Sequence, residues 1–400
     1  MSKTPKLRFK EFSGDWEEKK LGELGEFFKG SILSKSNLSE EGNSCVLYGE
    51  LYTRYSEVIK NVISKTDLND NNFVIGNKND VLIPSSGESA TDIATASCLQ
   101  EDNVILGGDL NVFRSTKLNG IFTSYQLNNS KKHEIAKLAQ GASVVHVYNN
   151  QLSKLKLNVP SKEEQEKIAS FFSLIDDKIS LQSDKVEALK DYKKGIMQKI
   201  FSRELRFKDD DGSDYPEWEV ITIEKVANLE KGFTPNTKNE KNWIGDVPWL
   251  SIADMKQGKY VSEVSKYISN EALGKKALVP KGTLIMSFKL TLGRLAIINR
   301  DLMTNEAICH FYWRNKNINT EYMYYYLSTS NIESFGCRAA KGITLNNDSL
   351  NSIVVKLPVI KEQNKISDIL TKIDYKLQKE QEKLDSLTEY KKGLLQQMFV

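Results

Sequence analysis

The sequence predicts an α+β chain built twice over: two globular α/β halves, each followed by one long helix, with the two helices paired. Three observations predict it. Residues 160–201 and 358–399 are gapless copies of each other, both are free of proline once the helix has begun, and short β-patterned runs precede each copy.

The helices come first because their period is the clearest signal. In the first copy Ile168, Phe172, Ile175, Ile179, Gln182, Val186, Leu189, Lys193, Ile196 and Ile200 alternate in steps of four and three, which keeps one stripe facing a partner helix. The second copy gives Ile366, Leu370, Ile373, Leu377, Glu380, Leu384, Leu387, Lys391, Leu394 and Met398. The same two seam positions are polar in both. A polar seam residue costs stability and fixes register, so matched interruptions predict that the helices pair with each other.

Ahead of each helix stands a lead-in with the same text, Leu7-Arg8-Phe9 with Trp16 and Lys29-Gly30, then Leu205-Arg206-Phe207 with Trp218 and Lys231-Gly232. The first helix runs on into Leu205-Arg206-Phe207, whereas the second stops at Val400 and its continuation is found at Leu7-Arg8-Phe9. The chain reads as a ring of two repeats that has been cut, with its ends predicted to meet beside the helix pair.

Between lead-in and helix, β-branched and aromatic runs alternate with Gly, Asn, Asp and Pro turns. Strands are expected at 45–48, 73–75, 80–84, 103–106, 110–114 and 154–159, and again at 247–252, 282–287, 294–298, 307–313 and 352–357. Helices are expected at 124–139 and 320–330.

Four hundred residues exceed one ordinary core. A net charge of +3 permits nucleic-acid binding without demanding it. No apolar run reaches bilayer length, and the first residues lack the apolar core of a signal peptide, so a cytoplasmic chain with no membrane partner is expected. The four cysteines form no CxxC pair and histidine occurs only at 133, 146 and 310, which supports neither a zinc site nor a disulfide framework.

Catalytic signatures are missing as well. No two prolines are adjacent, so the N-P-P-Y or D-P-P-Y motif of amino-methyltransferases is absent, as are GxxxxGK and H-E-x-x-H. What the halves do offer is basic, amide and hydroxyl residues interleaved with aromatics. In the first half these are Lys29, Ser31, Tyr52, Arg54, Ser85, Ser86, Glu88, His146 and Tyr148. The second half has Lys231, Thr234, Asn236, Lys238, Lys289, Arg294, Arg338, Lys341 and Thr344. Such side chains can contact phosphates and base edges when a rigid scaffold sets their register.

A Trp-introduced domain with a Gly232-Phe233-Thr234-Pro235 turn, closed by a Pro-x-x-x-Glu-Gln-x-x-Ile helix start at 160–168 and again at 358–366, resembles the specificity subunit of type I restriction–modification systems. The likeness covers essentially the whole chain. The first half departs from the pattern at Lys29-Gly30-Ser31-Ile32, which lacks the Thr-Pro turn.

The resemblance implies two pseudo-two-fold-related target recognition domains, at 1–160 and 205–358. They are joined by helices at 161–204 and 359–400 that form an antiparallel coiled coil. It implies double-stranded DNA as ligand, with an asymmetric bipartite target. Two methyltransferase subunits dock on the helices, for which Tyr192, Lys193, Lys194, Tyr390, Lys391 and Lys392 are the candidates, and motor-nuclease subunits join through them. S-adenosylmethionine, ATP and magnesium are then expected in the partners and no cofactor in this chain. A helix over residues 163–201 measures roughly 58 Å, comparable to about 17 base pairs, enough to separate two half-sites. The competing readings are a coiled-coil adaptor that binds proteins rather than DNA, and a modification enzyme in its own right.

Overall fold

The computed structural model describes residues 4–141, 143–289, 291–339 and 342–400. It divides into two compact units, Met1–Asp184 with Gln381–Val400, and Lys185–Glu380.

Both units carry the same topology. In the first, a five-stranded sheet runs in the order Glu26–Lys29, Leu110–Arg114, Val81–Pro84, Ser97–Leu99 and Val58–Ile59, antiparallel except for its last pair. In the second, Ala227–Lys231, Ile308–Trp313, Leu284–Ser287, Leu295–Ile298 and Tyr260–Val261 repeat that order and that one parallel pairing. A smaller sheet follows the same rule, with Asn43–Val46 parallel to Val104–Leu106 in the first unit and Val247–Leu250 parallel to Met303–Thr304 in the second. The central strands are buried on both faces, which is why they read as apolar runs rather than alternating ones.

One expectation is corrected, and the lead-ins gain strands that were not among those expected. The lead-ins are strand–turn–strand elements: Glu17–Lys20 pairs with Lys156–Val159, one helical turn follows, and the chain re-enters the large sheet at Glu26–Lys29. Glu219–Thr222 and Val354–Leu357 repeat this in the second unit. Their outward faces hide the period-two signal. The helix expected over 124–139 is two helices, Gly120–Asn128 and Lys132–Leu138, because the Asn128-Asn129-Ser130 run favours local turns over helix. The Asn129 amide donates to the Leu395 carbonyl instead.

The long helices are Lys162–Phe201 and Ile360–Met398. In the first unit Ile168, Phe172 and Ile175 pack with Leu394, Met398 and Phe399, joined by Trp16, Phe122 and Tyr125. In the second, Ile196 and Ile200 pack with Ile366, Leu370 and Ile373. The start of each helix thus meets the end of the other, an antiparallel pairing, and every expected seam position is buried or half-buried. At the polar positions Glu380 takes an ion pair from Lys185 at 2.6 Å, while Gln182 is buried.

The repeated Pro-x-x-x-Glu-Gln start has a physical explanation. Gln165 accepts from the backbone N–H of Asn119 at 2.9 Å and donates to the Pro160 carbonyl at 3.0 Å. Asn119 in turn caps the helix Gly120–Asn128. Gln363 does the same with Asn319 at 2.8 Å and the Pro358 carbonyl at 2.8 Å. The glutamate beside it receives the lead-in arginine: Arg8 on Glu164, and Arg206 on Glu362, where the Trp218 indole N–H also donates at 3.0 Å. One dipeptide therefore fixes the long helix to both the lead-in and the inner helix of its unit. The chain ends meet as well, since the Leu7 N–H donates to the Gln397 carbonyl at 2.9 Å.

Candidate nucleic-acid interface

In the first unit the edge strand ends at Lys29, opposite Asn111, and the central strand Val81–Pro84 leads into Ser85-Ser86. There Ser86–Gly87 pairs with Val145–His146 in a two-stranded ribbon. This geometry gathers four of the candidate residues. Ser86 Oγ lies 2.9 Å from His146 Nδ1, the His146 and Tyr148 rings stack at 6.4 Å, and Lys29 Nζ stands 5.9 Å from the Tyr148 ring. Burial lowers the Lys29 pKa, against the pull of Asp109.

The second unit places its candidates at equivalent points of the topology. Lys231 ends the edge strand opposite Cys309, and Ser287 leads into Phe288 and Lys289. Lys231 lies 4.7 Å and Lys289 5.6 Å from the Phe288 ring, and both border a shallow recess with Asn346 and Asp348. The backbone bonds match too: Val147 N–H to Ser85 C=O in one unit, Leu345 N–H to Phe288 C=O in the other. Ser86 thus answers Lys289, and Tyr148 answers Asn346. The scaffold is shared while its side chains differ.

Other candidates lie apart from these groups or have local work. Tyr52 is half-buried on Glu50–Thr53, and burial, with Tyr48, Asp92 and Glu88 nearby, raises its pKa. Arg54 pairs with Glu50 at 3.2 Å; Glu88 is exposed. Thr234 accepts from the Asn305 amide at 3.2 Å, Asn236 closes a turn on the Lys238 N–H, Lys238 is exposed, and Arg294 reaches the Ile252 carbonyl at 3.4 Å. Arg338 and Thr344 fall on the paired strands Cys337–Ala339 and Gly342–Thr344, and Lys341 lies outside the described residues.

Three expectations change. The Ser31 hydroxyl donates to the Leu106 carbonyl and accepts from the Val74 N–H, so it locks a turn rather than facing a ligand. Ser85 is buried, its backbone shared between Asp109 and Val147. Lys193 and Lys391 were expected among the docking residues, but they turn into their units. Lys391 sits 2.7 Å from Asp176 and 3.0 Å from Glu57, beside the Tyr125 ring. Burial alone would lower its pKa, yet Glu57 and Asp176 outweigh it and the pKa is raised. Lys193 pairs with Asp374 at 2.5 Å beside the Tyr325 ring. Tyr192, Lys194, Tyr390 and Lys392 remain exposed.

The sequence reading missed this pair of inner networks, in which Tyr125 bonds to Asp176 and Tyr325 to Asp374. Position 57 is a glutamate in one network, and its topological counterpart in the other is Lys259. Burial takes the Lys259 pKa down to about 8 despite Asp374. The available signal was the aspartate conserved between the two copies beside each seam isoleucine.

A family model described as the type I restriction modification DNA specificity domain matches the chain twice, over residues 13–191 and 215–389. The chain belongs to this family. Among relatives of the specificity family, the type I restriction enzyme MjaVIII specificity subunit of Methanocaldococcus jannaschii is 24% identical, over 97% of this chain and 94% of that one. The MjaIX specificity subunit of the same organism is 26% identical over 50% of this chain and 48% of its own length. The crystal structure of the type I restriction–modification S subunit from M. genitalium shares the fold, with a TM-score of 0.63 at 18% identity, covering 99% of both chains. No helix among the described residues is long and apolar enough to cross a membrane.

Proposed function

We propose that this chain gives a type I restriction–modification complex its target sequence without catalysing a step itself. Each recognition domain, at 1–160 and 205–358, reads one half of a bipartite site in double-stranded DNA. Domains with different side chains on one scaffold call for two different half-sites. The observation that carries this reading is that Ser86 and Tyr148 are answered by Lys289 and Asn346 beside a lysine both units share, Lys29 and Lys231: same place, different chemistry. The helical segments at 161–204 and 359–400 separate the half-sites. Two methyltransferase subunits dock on their outer faces, with Tyr192, Lys194, Tyr390 and Lys392 as contacts, and motor-nuclease subunits join through them. S-adenosylmethionine, ATP and magnesium are taken by those partners, and the complex works on DNA in the cytoplasm.

Methylation mapping in cells carrying the chain and its methyltransferase tests this. Lengthening both long helices by whole turns should widen the unread spacer and leave both half-sites unchanged. Altered half-sites with an unchanged spacer would refute the ruler, and a purified complex whose DNA binding is insensitive to sequence would refute the reading itself.

A further inference from the structure

His146 is paired on both sides of its strand and is also met at its ring. Its backbone N–H and C=O both bond to Gln140, at 2.8 and 3.0 Å, while its strand pairs with Ser86–Gly87 on the other side. Ser86 Oγ lies 2.9 Å from its Nδ1, and the Tyr148 ring covers one face. Ser86 is only 4% exposed. Its hydroxyl proton needs an acceptor, and among the described residues His146 Nδ1 is the one it has. A hydroxyl that donates to Nδ1 puts the ring's own proton on Nε2, and no described residue bonds that atom. The result is a fixed, half-exposed ring carrying a single outward N–H donor.

The counterpart of Ser86 is Lys289 in the second unit, so the seat that sets this tautomer belongs to the first unit alone. A rigid single donor that differs between otherwise matching scaffolds suits a reader of one base rather than a backbone contact.

Resting on the proposed reading of DNA by this unit, we propose that His146 is a specificity-determining residue, donating through Nε2 to the major-groove N7 of a purine in the half-site read by the first unit. Ser86 is its positioning residue. Guanine and adenine both present N7 as an acceptor, and a lone N–H matches it without a second contact.

The test uses the full chain in complex with its methyltransferase, on the target found by methylation mapping, with 7-deazapurines placed one at a time in that half-site. One position should weaken wild-type binding roughly tenfold and leave His146→Ala no weaker than on natural DNA. Ser86→Ala should lose part of the same discrimination while retaining the imidazole. Unchanged discrimination at the second half-site shows that each variant is folded. A uniform loss on all DNA with a shallower salt dependence would mark a phosphate contact and overturn the proposal, as would wild-type indifference to every deazapurine. Both outcomes leave the bipartite reading standing. That reading falls only if natural base changes in the half-site are also without effect.

Discussion

Arg8 grips Glu164 at two points, Nε to Oε1 and Nη2 to Oε2, both at 2.7 Å, with the carboxylate 1% exposed. The pair joins the lead-in to the first long helix across most of the sequence of its unit. Arg8→Ala leaves that carboxylate buried without its partner, and should cost about 3 kcal/mol, as breaking a buried ion pair does. Urea denaturation read by the fluorescence of Trp16, which sits in the adjoining core, checks it. A change under 1 kcal/mol would mean that water replaces the guanidinium.

Lys391→Met should destabilise the first unit by a similar amount, about 3 kcal/mol at neutral pH, because Asp176 and Glu57 then face each other without the cation between them. Melting curves of the wild type and the variant at pH 7 measure the difference, and equal melting temperatures would count against the role given to this lysine.

His310 is buried, with its Nε2 2.6 Å from Thr304 Oγ1, and burial takes its pKa down to about 4. The unfolded chain protonates this ring below about pH 6.5, whereas the folded chain does not until near 4. Stability of the second unit should fall as pH drops through that window, by up to about 3 kcal/mol. His310→Gln should flatten the dependence between pH 6.5 and 4.

Lys29→Ala and Lys231→Ala should each weaken DNA binding by the assembled complex across all sequences. The slope of log affinity against log salt should drop by about 1 per lysine removed, with the target sequence unchanged. Band shifts at several salt concentrations measure this, and an altered target would instead make the lysine a base reader.

Phe172 is fully buried among Tyr125 and Phe399, at ring separations of 5.1 and 5.9 Å. Phe172→Ala should cost about 3–5 kcal/mol through lost burial and the cavity left behind. Val186→Ala, which removes only two methyl groups from a buried seam position, should cost less. Paired thermal denaturation would show whether the aromatic core or the seam dominates.

Much of this fold was legible because the chain states it twice. Heptad spacing gave the long helices and their burial, and the apolar runs gave the central strands. The lead-in strands were not legible, since Glu17–Lys20 is exposed along its length and carries no alternation. Neither were the contacts that occupy Ser31, Lys193 and Lys391. A serine that locks a turn and a serine that faces a ligand have the same local sequence; only Leu106 and Val74, far along the chain, separate them. Likewise Lys391 follows the same Tyr-Lys-Lys text whether it points to water or to Asp176. The grouping of Lys29, Ser86, His146 and Tyr148 depends on strand order, which no local pattern encodes.

The packing of Leu394, Met398 and Phe399 against Trp16, Phe122 and Phe172 has a consequence for how the chain is made. The second unit is one continuous stretch, Lys185–Glu380, whereas the first draws its core from two separate stretches, Met1–Asp184 and Gln381–Val400. The half translated first is therefore the half finished last, and its aromatic core stays open while the other unit is made.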